Sequence, residues 1–175
     1  MKKIITASLL AIAVIIGGVL AARTVNAQTS DQATRCNVTQ NRLNTRITQV
    51  NAVKESHTTA YNDLNAKVEV IVTSAEASGF DTTELTTAYN SVEEKISAYQ
   101  SAATAYADAL MATKNLSCGT SDTEFTTSLT TARAALATVR TASADVRAAF
   151  TSETVPALQD YAVWLTEQLA EEEAN

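Results

Sequence analysis

Apolar residues recur along this chain in alternating steps of four and three. Positions 36, 40, 43, 47, 50, 54, 57, 61, 64, 68, 71 and 75 read Cys, Gln, Leu, Ile, Val, Lys, His, Tyr, Leu, Val, Ile and Ala. Such a seam is the a/d edge of a heptad, the edge a helix turns toward a partner. The spacing predicts a long helix over about 35–78, with Cys36 on the seam. It should stop at Ser78-Gly79, because glycine takes the left-handed conformation that closes a helix.

A second seam runs through Leu85, Tyr89, Val92, Ile96, Tyr99, Ala103, Tyr106 and Leu110, predicting a helix over about 82–115. Asp81 with Glu84 three residues later has the form of a capping box at its start, and Ser121 with Glu124 repeats that form. A third seam follows at Phe125, Leu129, Ala132, Leu136, Val139, Ser143, Val146 and Phe150, within a helix over about 122–170. Pro156 should kink it or restart it after Thr151 or Ser152, since proline offers no N–H and its ring meets the carbonyl four residues back. Leu158, Tyr161, Leu165 and Leu169 continue the apolar edge, and 171–175 reads as an acidic tail.

Three seams and two short turns predict an all-α fold: an up-down-up, three-helix antiparallel coiled-coil-like bundle over 35–170, preceded by a signal peptide. One proline and four glycines in 175 residues leave little of the punctuation a β-rich fold needs. Cys36 and Cys118 lie almost symmetrically about Gly79, so a hairpin folded there returns both cysteines to one end. Counting from that end, Gly79 and Phe80 fall at the height of Trp164 and Leu165, which predicts an aromatic cluster at the opposite end.

Residues 1–27 have the form of a secretory signal. Lys2 and Lys3 precede a run from Ile4 to Ala22 that is apolar apart from Thr6 and Ser8, and Val25-Asn26-Ala27 supplies small residues for cleavage before Gln28. An uncleaved anchor is the competing reading, with 1–22 as the one membrane contact, because the run approaches the ~20 residues that span a bilayer. Gly17-Gly18 favours cleavage by breaking that helix, and 28–34 reads as a polar leader. The Lys-Lys start has a bacterial look, and Arg35 beside Cys36 argues against lipidation. Either way the body is expected outside the cytoplasm: secreted, periplasmic or at the cell surface.

That location decides how the cysteines are read. In an oxidising compartment an even pair points to a bridge, and two cysteines with the single His57 are too few for a metal site. The net charge is −6, and without the first 27 residues it becomes −9, which argues against nucleic acid as a partner. No cofactor is expected. The two sequons at Asn37 and Asn115 are put down to the abundance of Ser and Thr.

Layer counting brings His57, Tyr99 and Ser143 to one height. A serine beside a histidine invites a nucleophilic reading, but no glycine-rich loop or oxyanion donors accompany it. The expected role is a buried polar layer that fixes register. Arg133, Arg140 and Arg147 recur every seven residues. They are expected to pair across helices, Arg133 with Asp108 and Arg147 with Glu93 or Glu94, rather than to bind an anionic surface. Trp164, near a free end, is the candidate partner contact.

The pattern Arg35-Cys36, Cys118-Gly119, Asp145-Val146-Arg147 and Pro156 resembles small exported helical proteins of candidate-phyla bacteria. The resemblance implies a two-cysteine helical bundle and an envelope location only. The expectation is therefore a non-enzymatic structural or interaction protein of the cell envelope or exterior, with an unknown protein partner. The alternatives are a holdase-type binding module and a membrane-tethered spacer.

Overall fold

The computed structural model describes residues 30–118 and 121–174, and the expected signal segment 1–27 lies outside them. The protein is an all-helical bundle. Its elements are α1 (Ser30–Ala77), α2 (Thr83–Asn115), α3 (Asp122–Ala149), a π-helical turn (Phe150–Thr154) and α4 (Val155–Ala174). Two elements run further than the sequence pattern implies. α1 is already helical from Ser30, inside the stretch taken for a leader, and the acidic 171–174 belongs to α4 rather than to a tail.

α1 closes on a Schellman motif. Gly79 stands at φ +85°, the Phe80 N–H donates to the Ala75 carbonyl at 3.0 Å, and the Gly79 N–H donates to the Glu76 carbonyl at 3.0 Å. The motif turns Phe80 inward, so that it packs against the buried Ala75. The two expected capping boxes fare differently. Ser121 and Glu124 form theirs reciprocally at the start of α3. Asp81 instead accepts from the N–H and hydroxyl of Thr83, at 3.0 and 2.7 Å, and Thr82 becomes the N-cap without a side-chain bond. Asp81 sits one residue too early to reach Glu84, and a two-residue Asx turn satisfies it locally.

α2 lies in the middle and packs against both α1 and α3, whereas α1 and α3 meet mainly through side chains. Small residues permit the close α2–α3 approach: Ala102, Ala103 and Ala107 on one helix, Ala132, Ala142 and Ala149 on the other, all buried. Leu43, Ile47, Tyr61 and Val68 of α1 join this core, with Val92, Ile96, Tyr99, Tyr106 and Leu110 of α2. The α1 seam departs from the heptad at one point. Leu64 is 37 % exposed and Asn65 only 6 %, with Val72 packed on the core beside it. A helix in a bundle buries a wider stripe than a two-stranded seam, so the neighbouring position takes the core side.

The chain passes Pro156 through the π turn. The Val155 N–H donates to the Phe150 carbonyl, five residues back, immediately before the proline. The Thr151 hydroxyl donates to the Arg147 carbonyl at 2.9 Å and Ser152 to the Ala148 carbonyl at 2.6 Å, back-bonds of the kind that bend helices. The kink or restart expected around Pro156 takes the form of a widened turn just upstream of it, with α4 resuming at Val155. Beyond it, Ala157 joins Ala75 and Leu85 in a second small core, with Leu158 and Tyr161 alongside.

Candidate functional site

The polar layer midway along the bundle is the densest group of functional side chains. His57 of α1 and Tyr99 of α2 meet at 2.9 Å between Nδ1 and Oη. One turn further along α1, Tyr61 shares a 3.3 Å hydrogen bond with Ser143 of α3, Oη to Oγ. The three rings touch in a closed set: His57–Tyr61 centroids lie at 5.8 Å, His57–Tyr99 at 5.7 Å and Tyr61–Tyr99 at 5.5 Å, the last edge to face. Layer counting brings His57, Tyr99 and Ser143 together, but it misses that Ser143 is held by Tyr61. The signal was present, since Tyr61 follows His57 by one turn on the same seam.

The electrostatics keep this layer neutral. Burial, and then the positive charge of Arg147, lower the His57 pKa from its ordinary 6.5. Burial, with Tyr61 next to it, pushes the Tyr99 phenol up to about 12. Tyr99 is therefore a protonated phenol at neutral pH, and the imidazole tautomer decides which of the two groups donates. A phenol, not an imidazole, is hydrogen-bonded to Ser143, so Ser143 and His57 do not form a nucleophile–base pair. Chemically, the arrangement joins three helices by directional hydrogen bonds between neutral groups.

The arginine stripe differs from its expected pairing. The Arg147 Nε donates to the Ser143 carbonyl on its own helix at 3.3 Å, and its charge is felt by His57 of α1. Glu93 is engaged by the Tyr89 hydroxyl at 3.1 Å, and Glu94 by its neighbour Lys95 at 3.3 Å. Neither an Arg147 pair with Glu93 or Glu94 nor an Arg133–Asp108 pair forms among the described residues. Long side chains on exposed faces take the nearest partner, because a distant one costs rotamer entropy for little Coulomb gain.

Asn65, which the heptad pattern did not mark, lines a shallow groove of about 160 Å³ with Asn62, Glu93, Ile96, Ser97 and Gln100. Its Oδ1 is buried without a hydrogen-bond partner, as is the Thr154 hydroxyl in the π turn. Among the described residues, no group of three or more His, Cys, Asp and Glu stands close enough to hold a metal, and no helix is long and apolar enough to cross a membrane.

The ends of the bundle carry the remaining candidates. Cys36 and Cys118 lie at disulfide distance, their Cα atoms 5.4 Å apart, with the Ser117 hydroxyl 3.6 Å from the Cys118 sulfur. At the other end Trp164 is half-buried rather than free. It packs on Phe80 at 5.6 Å and on Tyr161 at 6.1 Å, and Phe80 meets Tyr161 at 5.1 Å. The chain matches no family model, no curated protein and no solved structure.

Proposed function

We propose that this protein is an exported, non-enzymatic structural or interaction protein of the cell envelope or exterior. In this reading 1–27 is a signal peptide, and the mature chain is an up-down-up three-helix rod stapled by Cys36–Cys118. The observation that carries it is the pair of locked ends: cysteines at disulfide distance at one, an aromatic cluster over the α1–α2 turn at the other. At about 1.5 Å per residue, the 48 residues of α1 alone span roughly 70 Å. A rod fastened at both ends holds two points at a set separation, the property a spacer or assembly partner needs. The disulfide-distance pair is compatible with an oxidising compartment.

Cell fractionation with thiol labelling tests the proposal. The protein should be recovered outside the cytoplasm with both cysteines inaccessible to alkylation until reduced. Recovery in the cytosol with two free thiols would overturn it.

A further inference from the structure

We propose that the groove between α1 and α2 at Asn65 binds a primary ammonium group, carried by a small amine or by a lysine side chain. The site stands whether or not the chain is exported.

Six residues form one concave surface there. α1 supplies Asn62 and Asn65, three positions apart and so on one face. α2 supplies Glu93, Ser97 and Gln100 in steps of four and three, with Ile96 between them. The groove holds about 160 Å³. Glu93 and Ser97 are exposed at its rim, Gln100 is half-buried, and Asn65 is only 6 % exposed at its floor.

Asn65 is what singles this groove out. Its Oδ1 is buried and accepts no hydrogen bond from the protein. A buried acceptor left unpaired is destabilising, and native folds satisfy almost all of theirs. The free protein therefore carries a cost that a donor entering the groove removes.

The charge around Asn65 selects the donor. Glu93 is an acceptor-only carboxylate with about four lone-pair sites, and the Tyr89 hydroxyl takes one of them at 3.1 Å. A second carboxylate, Glu69, stands one turn beyond Asn65 on α1. Desolvation, then the bond to Glu93 and the charges of Glu93 and Glu69, push the Tyr89 phenol up from its ordinary 10.0, so both carboxylates act at the same end of the groove. Among the described residues no base lines it. Lys95 is drawn to Glu94 at 3.3 Å, and Lys54 donates to the Thr104 hydroxyl at 3.4 Å. A negative field over an unpaired acceptor calls for a positively charged N–H donor.

An ammonium meets both demands. One nitrogen offers three donors: one for the Asn65 Oδ1, one for the Glu93 carboxylate, and a third for an oxygen of Asn62, Ser97 or Gln100. Ile96 gives the adjoining methylene an apolar contact. A divalent metal fits less well, since among the described residues no three of His, Cys, Asp and Glu stand close enough to hold one. The groove is smaller than the ~300–1,000 Å³ pockets that enclose drug-sized ligands, so it takes the end of a chain, with a Kd on the order of 1 mM.

NMR titration of the 15N-labelled full chain near neutral pH tests the site, with n-butylammonium chloride as the probe at constant ionic strength. The Asn65 side-chain amide and the backbone amides of Ser97 and Gln100 should shift and saturate in the millimolar range. Tetramethylammonium chloride, which has the charge without an N–H, and sodium chloride should leave them in place. Glu93→Gln should weaken binding about tenfold or more, because a charge-assisted bond is lost. Asn65→Leu should abolish saturation, with circular dichroism checking that helix content is kept. Nα-acetyl-lysine amide in place of butylammonium assigns the source: tighter binding marks a partner's lysine side chain, and equal or weaker binding a free amine. No saturable shift up to about 100 mM probe, equal shifts with tetramethylammonium, or binding that neither substitution weakens would each overturn the site.

Discussion

His57 Nδ1 lies 2.9 Å from Tyr99 Oη, and this bond ties the outer helix α1 to the central helix α2 midway along the bundle. With a neutral imidazole, the tautomer decides which of the two groups donates. Protonation of His57 fixes Nδ1 as a donor, so that the Tyr99 oxygen must accept, and places a second positive charge beside Arg147.

A pH dependence follows from that geometry. The folded His57 pKa lies below the ordinary 6.5, so the unfolded chain takes up a proton first as pH falls. The contribution of His57 to stability is complete above about pH 6.5 and is lost as pH falls from there to the folded pKa. His57 is the one histidine of the chain, so its NMR titration is unambiguous. The titration midpoint should lie below 6.5 and should rise in Arg147→Gln, by less than the full shift because burial is the larger cause. A midpoint at or above 6.5 in the native protein contradicts the packing described.

Replacing His57 separates register from bonding. His57→Leu leaves the Tyr99 hydroxyl, in a side chain only 2 % exposed, without its partner, a change of the kind that costs about 1–3 kcal/mol. Adding Tyr99→Phe removes the orphaned hydroxyl and should restore most of the loss. Urea unfolding of the two variants checks both steps, and a His57→Leu single variant as stable as the native protein contradicts the first.

Asn65 is the converse case. Its Oδ1 is buried without a hydrogen-bond partner, whereas Leu64 beside it is exposed. Asn65→Leu should raise stability by about 1 kcal/mol, since it removes a desolvated acceptor and fills the same volume with apolar atoms. The urea midpoint should rise with an unchanged slope. A drop would mean that the Asn65 amide is satisfied in solution.

How much of this was legible in the sequence depended on the range over which each signal acts. The seams carried the helices and most of the core, because burial repeats with the helical period and needs no knowledge of the neighbours. Gly79 and the Ser121–Glu124 box were readable for the same reason, as local backbone chemistry. The choice of Asn65 over Leu64 was not, because it depends on how α1 is rotated against two neighbours. Nor was the bond of Arg147 to the Ser143 carbonyl of its own helix, which side-chain rotamers decide. Pro156 announced a disturbance, but whether it becomes a kink or a π turn depends on where the Tyr161–Trp164 face must land on Phe80.

That landing has its own reporter. Trp164 is the one tryptophan of the chain, and Phe80 covers part of it. Phe80→Ala should shift its fluorescence emission to the red and cost about 1–2 kcal/mol, given that Phe80 is half-buried. An unshifted spectrum with native stability would show that α4 does not dock on the α1–α2 turn.

The central proposal is a helical rod stapled at one end outside the cytoplasm, and non-reducing peptide mapping of the native protein tests it most directly. Cys36 and Cys118, 82 residues apart in sequence, close a loop whose cross-link is worth about 4 kcal/mol in the chain-entropy account. The predicted result is one linked peptide pair containing Cys36 and Cys118, in a chain that begins at Gln28. Two separate peptides with free thiols, from protein recovered without reductant, would contradict it.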